Sequence, residues 1–371
     1  MKFTIDRDVF AEVLFRIQGV CAQKATLPIL ASCLVEAHKD GRISVHGTDM
    51  EVSVSTGCSA EVSKTGKVAL TAKRLFDTVK SVPPGQISVV MEPNFWAILE
   101  ADRIRARIAG SRPDDFPALP NVEAPLPITI PAAVLLDMIE KTVFSISTDE
   151  ARAAFTGSLL SSTEQGRLQM VSTDGHRLSK IEVPLEGVEP ASLTPLARGV
   201  IVPRKGIAEI RRIVARDSII SLDVRGDDLI IVSEQASLAI RLIPGRFPNF
   251  AKVIPNDLDH HMRVSRDALL SSLKRAGYYT AKTGNTRLTL SDGVLEIYAF
   301  DLDAGEFNER IPCEYVGEGV TAGFNYRYLL EVLNVIEADE VLVDLIDTES
   351  PTVIRDPARD EVLYIVMPMQ L

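Results

Sequence analysis

The stretch GRISVHGTD at residues 41–49 recurs as GRLQMVSTD at 166–174 and, more loosely, as GVLEIYAFD at 293–301. The first two copies share Gly, Arg, an aliphatic residue and the closing Thr-Asp pair, and the third keeps the glycine, the alternating aliphatics and the aspartate. Self-similarity at a near-constant spacing is the signature of a repeated structural unit. The chain is therefore predicted to use one unit three times.

Each copy follows the same two patterns, a short alternating strand that leads straight into an amphipathic helix. The strands are marked by Phe3 and Ile5, by Ile128 and Ile130, and by Met262 and Val264. The predicted helix faces are Val9, Phe10, Val13, Leu14 and Ile17; Val134, Leu135, Met138 and Ile139; and Leu269, Leu270 and Leu273. Pro131 suits the first turn of the middle helix.

A second helix is predicted later in each unit. Its apolar residues are Leu75, Phe76 and Val79; Ile207, Ile210, Ile213 and Val214; and Leu329, Leu330, Leu333 and Ile336. Alternating segments such as 218–224 and 339–346 predict half-buried antiparallel strands, and the Asp-Gly pair at 292–293 predicts a tight turn.

The fold class expected is α+β, with three similar domains that each pack two helices on antiparallel β-sheet. The expected domains are residues 1–125, 126–250 and 251–371, with boundaries near the proline-rich stretch 117–131 and near 249–257. A chain of 371 residues exceeds the usual size of a single hydrophobic core, which agrees with several domains.

The composition is that of an ordinary folded protein, with 46% hydrophobic and 25% charged residues. No window approaches the roughly 18 consecutive apolar residues of a membrane span, so no membrane partner is expected. The first residues, MKFTIDRDVF, lack the apolar core of a secretory signal. We therefore expect a cytoplasmic protein.

The usual signatures of catalytic and cofactor sites are missing from the sequence. It contains no Walker A loop, GxGxxG, GxSxG, HExxH or EF-hand loop, so no cofactor is expected. The cysteines Cys21, Cys33, Cys58 and Cys313 form no CxxC pair and no metal-site spacing with histidine, and they are expected to be free buried thiols.

One segment leaves an enzymatic role open, because Asp174, His176 and Arg177 crowd together after a strand. The matching segment at 48–51 keeps the Thr-Asp pair but has Met50 and Glu51 where this one has glycine and histidine. The shared part therefore predicts turn structure.

Basic residues cluster on the second helices although the formal net charge is −11. They are Lys73, Arg74 and Lys80 in the first unit and Arg204, Lys205, Arg211, Arg212 and Arg216 in the second. These helix faces either attract DNA phosphates locally or are simply solvated.

The chain ends in YIVMPMQL, which is apolar where a terminus is usually polar. The ending is either a last strand of the third unit or, in addition, a methionine-rich lining for a hydrophobic groove.

Several short motifs of the sequence together resemble those of the bacterial sliding clamp family. They are TLPIL at 26–30, GTDME at 47–51, STDGHRLS at 172–179, VPRKG at 202–206, GRFPNF at 245–250 and the ending YIVMPMQL. The resemblance spans the chain and implies a head-to-tail homodimer, a closed ring with helices lining the hole and sheets outside. It also implies a non-catalytic processivity subunit that encircles duplex DNA and tethers the replicative polymerase.

The resemblance also implies which residues bind partners. Polymerases, the clamp loader and repair proteins would place a short linear motif in a groove between the middle and last domains. The matching positions are Phe155, Thr173, Gly175, His176, Arg177, Leu178, Pro248, Val253, Asn325, Tyr328, Val366, Met367, Pro368 and Met369. His176 is then a pocket wall and not a base. Phe155, Lys252 and Gln370 differ from the residues that are more frequent in the family.

Two further sets of residues complete the implied site. The residues facing DNA are Lys24, Arg204 and Lys205, which match basic family positions, together with Lys73. The contact between subunits is expected to pair the strand around Ala106 and Ile108 with the segment at Tyr278 and Tyr279. The rival interpretations are an enzyme that uses Asp174, His176 and Arg177, and a scaffold of repeated domains without the clamp role.

Overall fold

The computed structural model describes residues 1–21, 27–122, 125–255, 261–280, 282–315 and 317–370. The first repeat contains β1 Lys2–Asp6, α1 Arg7–Gln18, β2 Ser32–Ala37, β3 Arg42–Thr48, β4 Val52–Ser59, β5 Glu61–Lys64, β6 Gly66–Thr71, α2 Ala72–Ser81, β7 Gln86–Met91, β8 Ala97–Ala101, β9 Ile104–Ile108 and β10 Gly110–Ser111.

The second and third repeats share one order of elements, which the first repeat follows with two additional short strands, β5 and β10. The second has β11 Ile128–Pro131, α3 Ala132–Thr142, β12 Gly157–Ser162, β13 Arg167–Thr173, β14 Arg177–Pro184, β15 Val200–Pro203, α4 Arg204–Ile213, β16 Ile219–Arg225, β17 Asp228–Ser233 and β18 Ala236–Arg241. The third has β19 His261–Ser265, α5 Arg266–Ala276, β20 Asn285–Ser291, β21 Val294–Asp301, β22 Gly305–Glu314, β23 Val320–Asn325, α6 Tyr326–Val335, β24 Glu340–Asp344, β25 Thr352–Arg355 and β26 Val362–Val366.

The first strand of each repeat runs into its helix without a loop. The first helical amide donates to a distant carbonyl in all three cases: Arg7 N to Gly85 O (2.8 Å), Ala132 N to Ser218 O (2.9 Å) and Arg266 N to Asp339 O (2.8 Å). These bonds satisfy amides that a helix start otherwise leaves unpaired. Pro131 is the last residue of β11, one position before the helix turn predicted for it.

The three copies of the repeated motif, at 41–49, 166–174 and 293–301, contain strands β3, β13 and β21. Their opening glycines Gly41, Gly166 and Gly293 have φ values of 80°, 72° and 74°, a left-handed conformation that favours glycine. Asp292 also has positive φ, at 48°, as the predicted Asp-Gly turn requires. All three copies therefore begin with glycine because the backbone at this position has a positive φ.

The helix faces agree with the predicted periodicity, with one exception. Phe10, Val13, Leu14 and Ile17 of α1 are buried, and the ring of Phe10 packs edge-on against Phe3 of β1 at 5.9 Å. The prediction for Val9 is wrong, because its side chain is 42% exposed at the edge of this face.

The strands form three antiparallel sheets. A five-stranded sheet has the order β5-β1-β7-β8-β9, and a nine-stranded sheet has the order β10-β6-β2-β3-β4-β18-β17-β16-β11. The third sheet has twelve strands in the order β15-β12-β13-β14-β26-β25-β24-β19-β22-β21-β20-β23. The α+β class with three similar helix-and-sheet repeats is thus confirmed.

The chain forms two compact units, and the middle repeat contributes to both. Unit 1 comprises residues 1–136, 188–195 and 205–242 and contains the first two sheets. Unit 2 comprises residues 137–187, 196–204 and 243–371 and contains the twelve-stranded sheet. The domain bounds inferred from the sequence stay a prediction.

The four cysteines are free thiols. Cys21 and Cys33 are buried, whereas Cys58 and Cys313 are only partly buried, so the expectation of burial holds for two of the four. Burial raises the pKa of Cys58 to about 11, which keeps this thiol protonated at neutral pH.

Candidate functional site

The segment Thr173–Arg177 is a tight turn that Asp174 holds from within. Asp174 Oδ1 accepts hydrogen bonds from the amides of His176 (2.9 Å) and Arg177 (3.1 Å). Thr173 Oγ1 accepts from Gly175 N (3.1 Å) and donates to Arg177 O (2.6 Å), and Gly175 has a φ of 92°. The turn leaves the His176 side chain exposed.

Arg177 is a buried cation that joins this turn to helix α6, with a side chain that is 9% exposed. Its guanidinium donates to Asp174 Oδ2 (3.0 Å) and to Phe144 O (2.5 Å), and it forms an ion pair with Glu331 of α6. It also stacks over the ring of Tyr328 at 4.4 Å. Desolvation, followed by the nearby charge of Asp174, raises the pKa of Tyr328. Arg177 therefore links the Asp174 turn to helix α6 and to Phe144, next to the predicted pocket.

This arrangement does not favour acid–base chemistry at His176. Both oxygens of Asp174 are occupied by the turn amides and by Arg177, so this carboxylate does not orient the imidazole. Asp49 and Asp301 make the same turn in the other repeats, where no His-Arg pair follows. The predicted turn role of the repeated aspartate is confirmed.

The apolar C-terminus forms the other side of the site. Strand β26 pairs antiparallel with β25 of its own repeat and with β14 of the preceding one, placing Val366 opposite Arg177 and Ile365 opposite Leu178. Beyond the strand, Met367 N donates to His176 O (2.8 Å) and Met369 N donates to Gly323 O (2.8 Å). The pairing with β14 was not foreseen from the sequence, because no local pattern encodes a strand partner so far away in the chain.

Segment 245–255, here called the strap, crosses the face of the sheet next to these strands. Beneath it lies a buried cluster of Val171, Leu178, Val353 and Ile365, against which Phe247, Phe250 and Ile254 of the strap pack. Pro248 is half-buried, and Val253 remains 42% exposed. The strap thus presents apolar side chains beside the His176 turn.

The remaining predicted pocket residues border the same region. Phe155 lies 4.9 Å beneath the guanidinium of Arg152, which donates to Asp174 O (3.0 Å). Asn325 caps helix α6 by accepting from Arg327 N (3.1 Å). Val366 is fully buried, whereas Met367, Pro368 and Met369 are half-buried and adjoin the turn. Unit 2 therefore gathers the predicted pocket residues around the junction of β14 and β26.

Unit 1 contains an equivalent junction with different chemistry. There Asp49 makes the same turn, β4 pairs with β18, and Arg241 N donates to Glu51 O (2.7 Å) as Met367 N does to His176 O. Ser53 occupies the place of Leu178, Arg241 that of Met367, and Lys205 pairs with Asp49. The repeat thus provides the scaffold twice, but only unit 2 lines it with leucine and methionine.

The predicted DNA-facing cations differ in how available they are. Lys73 on α2 and Arg204 on α4 are exposed, and neither has an ion-pair partner among the residues that the structure describes. Lys205 pairs with Asp49 and Glu51; burial alone would lower its pKa, but these carboxylates outweigh it and raise the pKa. Lys24 lies outside the described residues.

Arg212, counted among the basic residues of α4, has an internal role. Its guanidinium donates to the carbonyls of Phe15 (2.7 Å) and Arg16 (2.6 Å) at the end of α1 and pairs with the buried Glu209. A cation at a helix C-terminus compensates the helix dipole and its unpaired carbonyls. Arg212 is therefore not a surface charge.

The residues expected at a subunit contact lie on strand β9 of unit 1 and in the short 3-10 helix Gly277–Tyr279 that follows α5 in unit 2. Ala106 is half-buried on β9, the last strand of the five-stranded sheet, but Ile108 is only 1% exposed and belongs to the core of unit 1. In unit 2, Tyr278 is 79% exposed and Tyr279 stacks on Phe307 of β22 at 5.8 Å.

Within the described residues, the three α+β repeats assemble no catalytic group at the His176 turn and carry a half-exposed apolar junction of β14 and β26. The chain matches the DNA polymerase III beta subunit family throughout: its N-terminal domain over residues 1–120, its central domain over 129–249 and its C-terminal domain over 251–370. The chain belongs to the beta sliding clamp family.

Relatives and solved structures agree with this assignment. The beta sliding clamps of Salmonella typhimurium and Escherichia coli are 32% and 30% identical to the chain, and each match covers 100% of both proteins. The crystal structure of the DNA polymerase III subunit beta from Pseudomonas aeruginosa has a TM-score of 0.92 at 29% identity, with 100% of both chains covered. The protein is a processivity clamp without catalytic activity of its own.

Among the residues that the structure describes, none of the helices is long and apolar enough to cross a membrane. Over the same ranges, no group of three or more His, Cys, Asp or Glu side chains is placed to hold a metal ion.

Proposed function

We propose that the chain forms a head-to-tail homodimer that encircles duplex DNA in the cytoplasm and holds replication and repair proteins in the pocket of unit 2. The partners are the catalytic subunit of the replicative polymerase, the clamp loader, and other polymerases and repair proteins that carry a short linear motif. The domains are residues 1–125, 126–250 and 251–371. The proposal that partners bind in unit 2 rests on the half-exposed apolar junction of β14 and β26.

The pocket suits a short peptide with apolar anchors. Pro248 and Val253 of the strap face an accessible surface, and the half-buried Met367 and Met369 offer adaptable thioether side chains. A few apolar anchors supply most of the affinity in such grooves, while exposed groups such as His176 shape the rim. Arg177 and the Asp174 turn hold this surface in place.

Replacing Val253 by aspartate should weaken peptide binding about tenfold, because it puts a charge where an apolar anchor would sit. The measurement is a fluorescence anisotropy titration with a labelled peptide copied from the clamp-binding segment of a bacterial polymerase. Val9→Asp is the matched control, since Val9 is also 42% exposed but lies on α1 in unit 1. Equal affinities for both variants would contradict the pocket.

The homodimer is proposed from two open sheet edges of opposite charge. Strand β9 ends its sheet and carries Arg105 and Arg107; from Gly305 to Pro312, β22 is paired on one side only among the described residues and carries Glu306 and Glu309. Edge strands readily pair with a second chain, and a head-to-tail contact that closes forms a ring. Some of these charges are paired within the chain, as Arg107 is with Glu92, so they would contribute orientation more than affinity.

Tyr278→Asp should raise the dissociation constant of the dimer at least tenfold, since exposed aromatic residues are typical anchors of interfaces. Sedimentation velocity over a dilution series gives this constant. Ile219→Asp, which changes a 58% exposed residue at the start of β16, serves as the control. A Tyr278 variant that stays dimeric to the same dilution as the control would remove Tyr278 from the interface.

DNA contacts are proposed at Lys73, Arg204 and Lys24, with a smaller contribution from Lys205 because Asp49 and Glu51 partly neutralise it. Such contacts read phosphates and not bases, so binding should be independent of sequence and sensitive to salt. A closed ring does not need strong contacts to remain on DNA.

A further inference from the structure

A second cavity, here called the cleft, has a volume of about 660 Å³ and is lined by residues 245–250 of the strap together with residues of β12, β13 and segment 197–201. Its floor is formed by Leu159 and Ser161 of β12 with Gln169 of β13, and its walls carry Arg198 on one side and Arg246 of the strap on the other. The walls are cationic and the floor mixes apolar and polar groups. Such a lining fits an extended chain with carboxylates.

The charge of the cleft is not compensated from within the described part of the chain. Arg198 and Arg246 are exposed, and neither is within ion-pair distance of a carboxylate among those residues. Glu182, which contacts Gln169 on the floor, is already paired with Lys180 at 2.8 Å. Lys252 adds a further exposed cation to the strap. The cleft is therefore positively charged.

The cleft adjoins the proposed peptide pocket along the strap. Pro248 belongs to both, and Phe247 and Phe250 line the cleft while packing on the cluster that contains Leu178. A peptide anchored in the pocket that continues past Pro248 therefore enters the cleft. Its next residues would come within reach of Arg246 and Arg198.

We infer that the cleft binds acidic residues that flank the apolar anchors of a partner's clamp-binding peptide. The inference rests on the proposed function of the pocket, because the pocket places the peptide beside the cleft. Partners with an acidic flank would thereby bind more tightly than partners with the same anchors and a neutral flank. The charge pairs are solvent-exposed, so each contributes little, and salt weakens them.

The test compares labelled peptides that share one apolar segment and are extended, at either end, by four aspartates or by four serines. Anisotropy titrations use the full chain as wild type, as the Arg198→Ala/Arg246→Ala double variant, and as a Lys67→Ala/Lys274→Ala control that loses the same charge at exposed sites elsewhere. We expect the aspartate extension at one end to tighten binding to wild type and control about fivefold. The Arg198/Arg246 variant should lose this gain while binding the serine peptides as wild type does.

Three outcomes would overturn the inference alone. If serine and aspartate peptides bind wild type equally well, the pocket stands but the cleft has no role. If the control loses the gain as much as the double variant, the effect is one of total charge. If a single-stranded oligonucleotide binds more tightly than the aspartate peptide and depends on both arginines, the cleft is a nucleic-acid site. Failure of every peptide to bind would instead refute the pocket, and the inference with it.

Discussion

Replacing Arg177 by methionine is expected to lower the free energy of unfolding of unit 2 by about 3–5 kcal/mol. Methionine keeps much of the side-chain volume but leaves Asp174, which is 14% exposed, without its buried cation. The variant also loses the donor to Phe144 O and the tie to Glu331 on α6. Because the Asp174 turn forms one border of the proposed pocket, peptide binding should fall as well.

Arg152→Met provides the matched control for Arg177. Arg152 also contacts the turn, through Asp174 O at 3.0 Å, but its side chain is 44% exposed, and the expected loss is at most about 1 kcal/mol. Hydrogen exchange of the amides in β14 and β26, together with urea unfolding followed by circular dichroism, measures both variants. Equal losses would mean that Arg177 is not the link between β14 and α6.

Arg212→Met is the corresponding change in unit 1, with an expected loss of about 3–5 kcal/mol. It leaves Glu209 buried without a cation and removes the donors to the carbonyls of Phe15 and Arg16 at the end of α1. The neighbouring Gly19 shows how tightly the guanidinium is held, since a Cβ there would lie 2.6 Å from it.

Arg211→Met is the control for Arg212, because Arg211 is the adjacent, exposed residue of α4 and should change stability by less than about 0.5 kcal/mol. The single tryptophan, Trp96, lies in unit 1, so its fluorescence during urea unfolding reports this unit. A shift for Arg211→Met as large as for Arg212→Met would contradict the assignment of Arg212 as an internal cap.

The local features of the fold could be predicted from the sequence because each has a short-range cause. Gly41, Gly166 and Gly293 begin equivalent strands with positive φ, and Asp49, Asp174 and Asp301 end those strands with equivalent turns. Helix periodicity likewise located the buried faces, apart from Val9 at an edge.

Local sequence patterns could not predict which strands pair across long distances in the chain. The pairing of β26 with β14 joins the C-terminus to the middle repeat, and that of β18 with β4 joins the middle repeat to the first. The roles of Arg177 and Arg212 depend on these neighbours, so a pattern of basic residues could not separate Arg212 from the exposed Arg211. The predicted pocket residues came from family resemblance, and their role in binding a peptide stays a prediction.

Retention on circular DNA tests encirclement most directly. The labelled chain is loaded onto nicked circular DNA by a matched clamp loader with ATP, the complex is isolated by gel filtration, and half of it is linearised with a restriction enzyme. A ring that encircles DNA remains on intact circles in salt that abolishes phosphate contacts, and it is lost only after linearisation. Loss from intact circles in that salt, with a loader shown to be active on another clamp, would contradict topological encirclement.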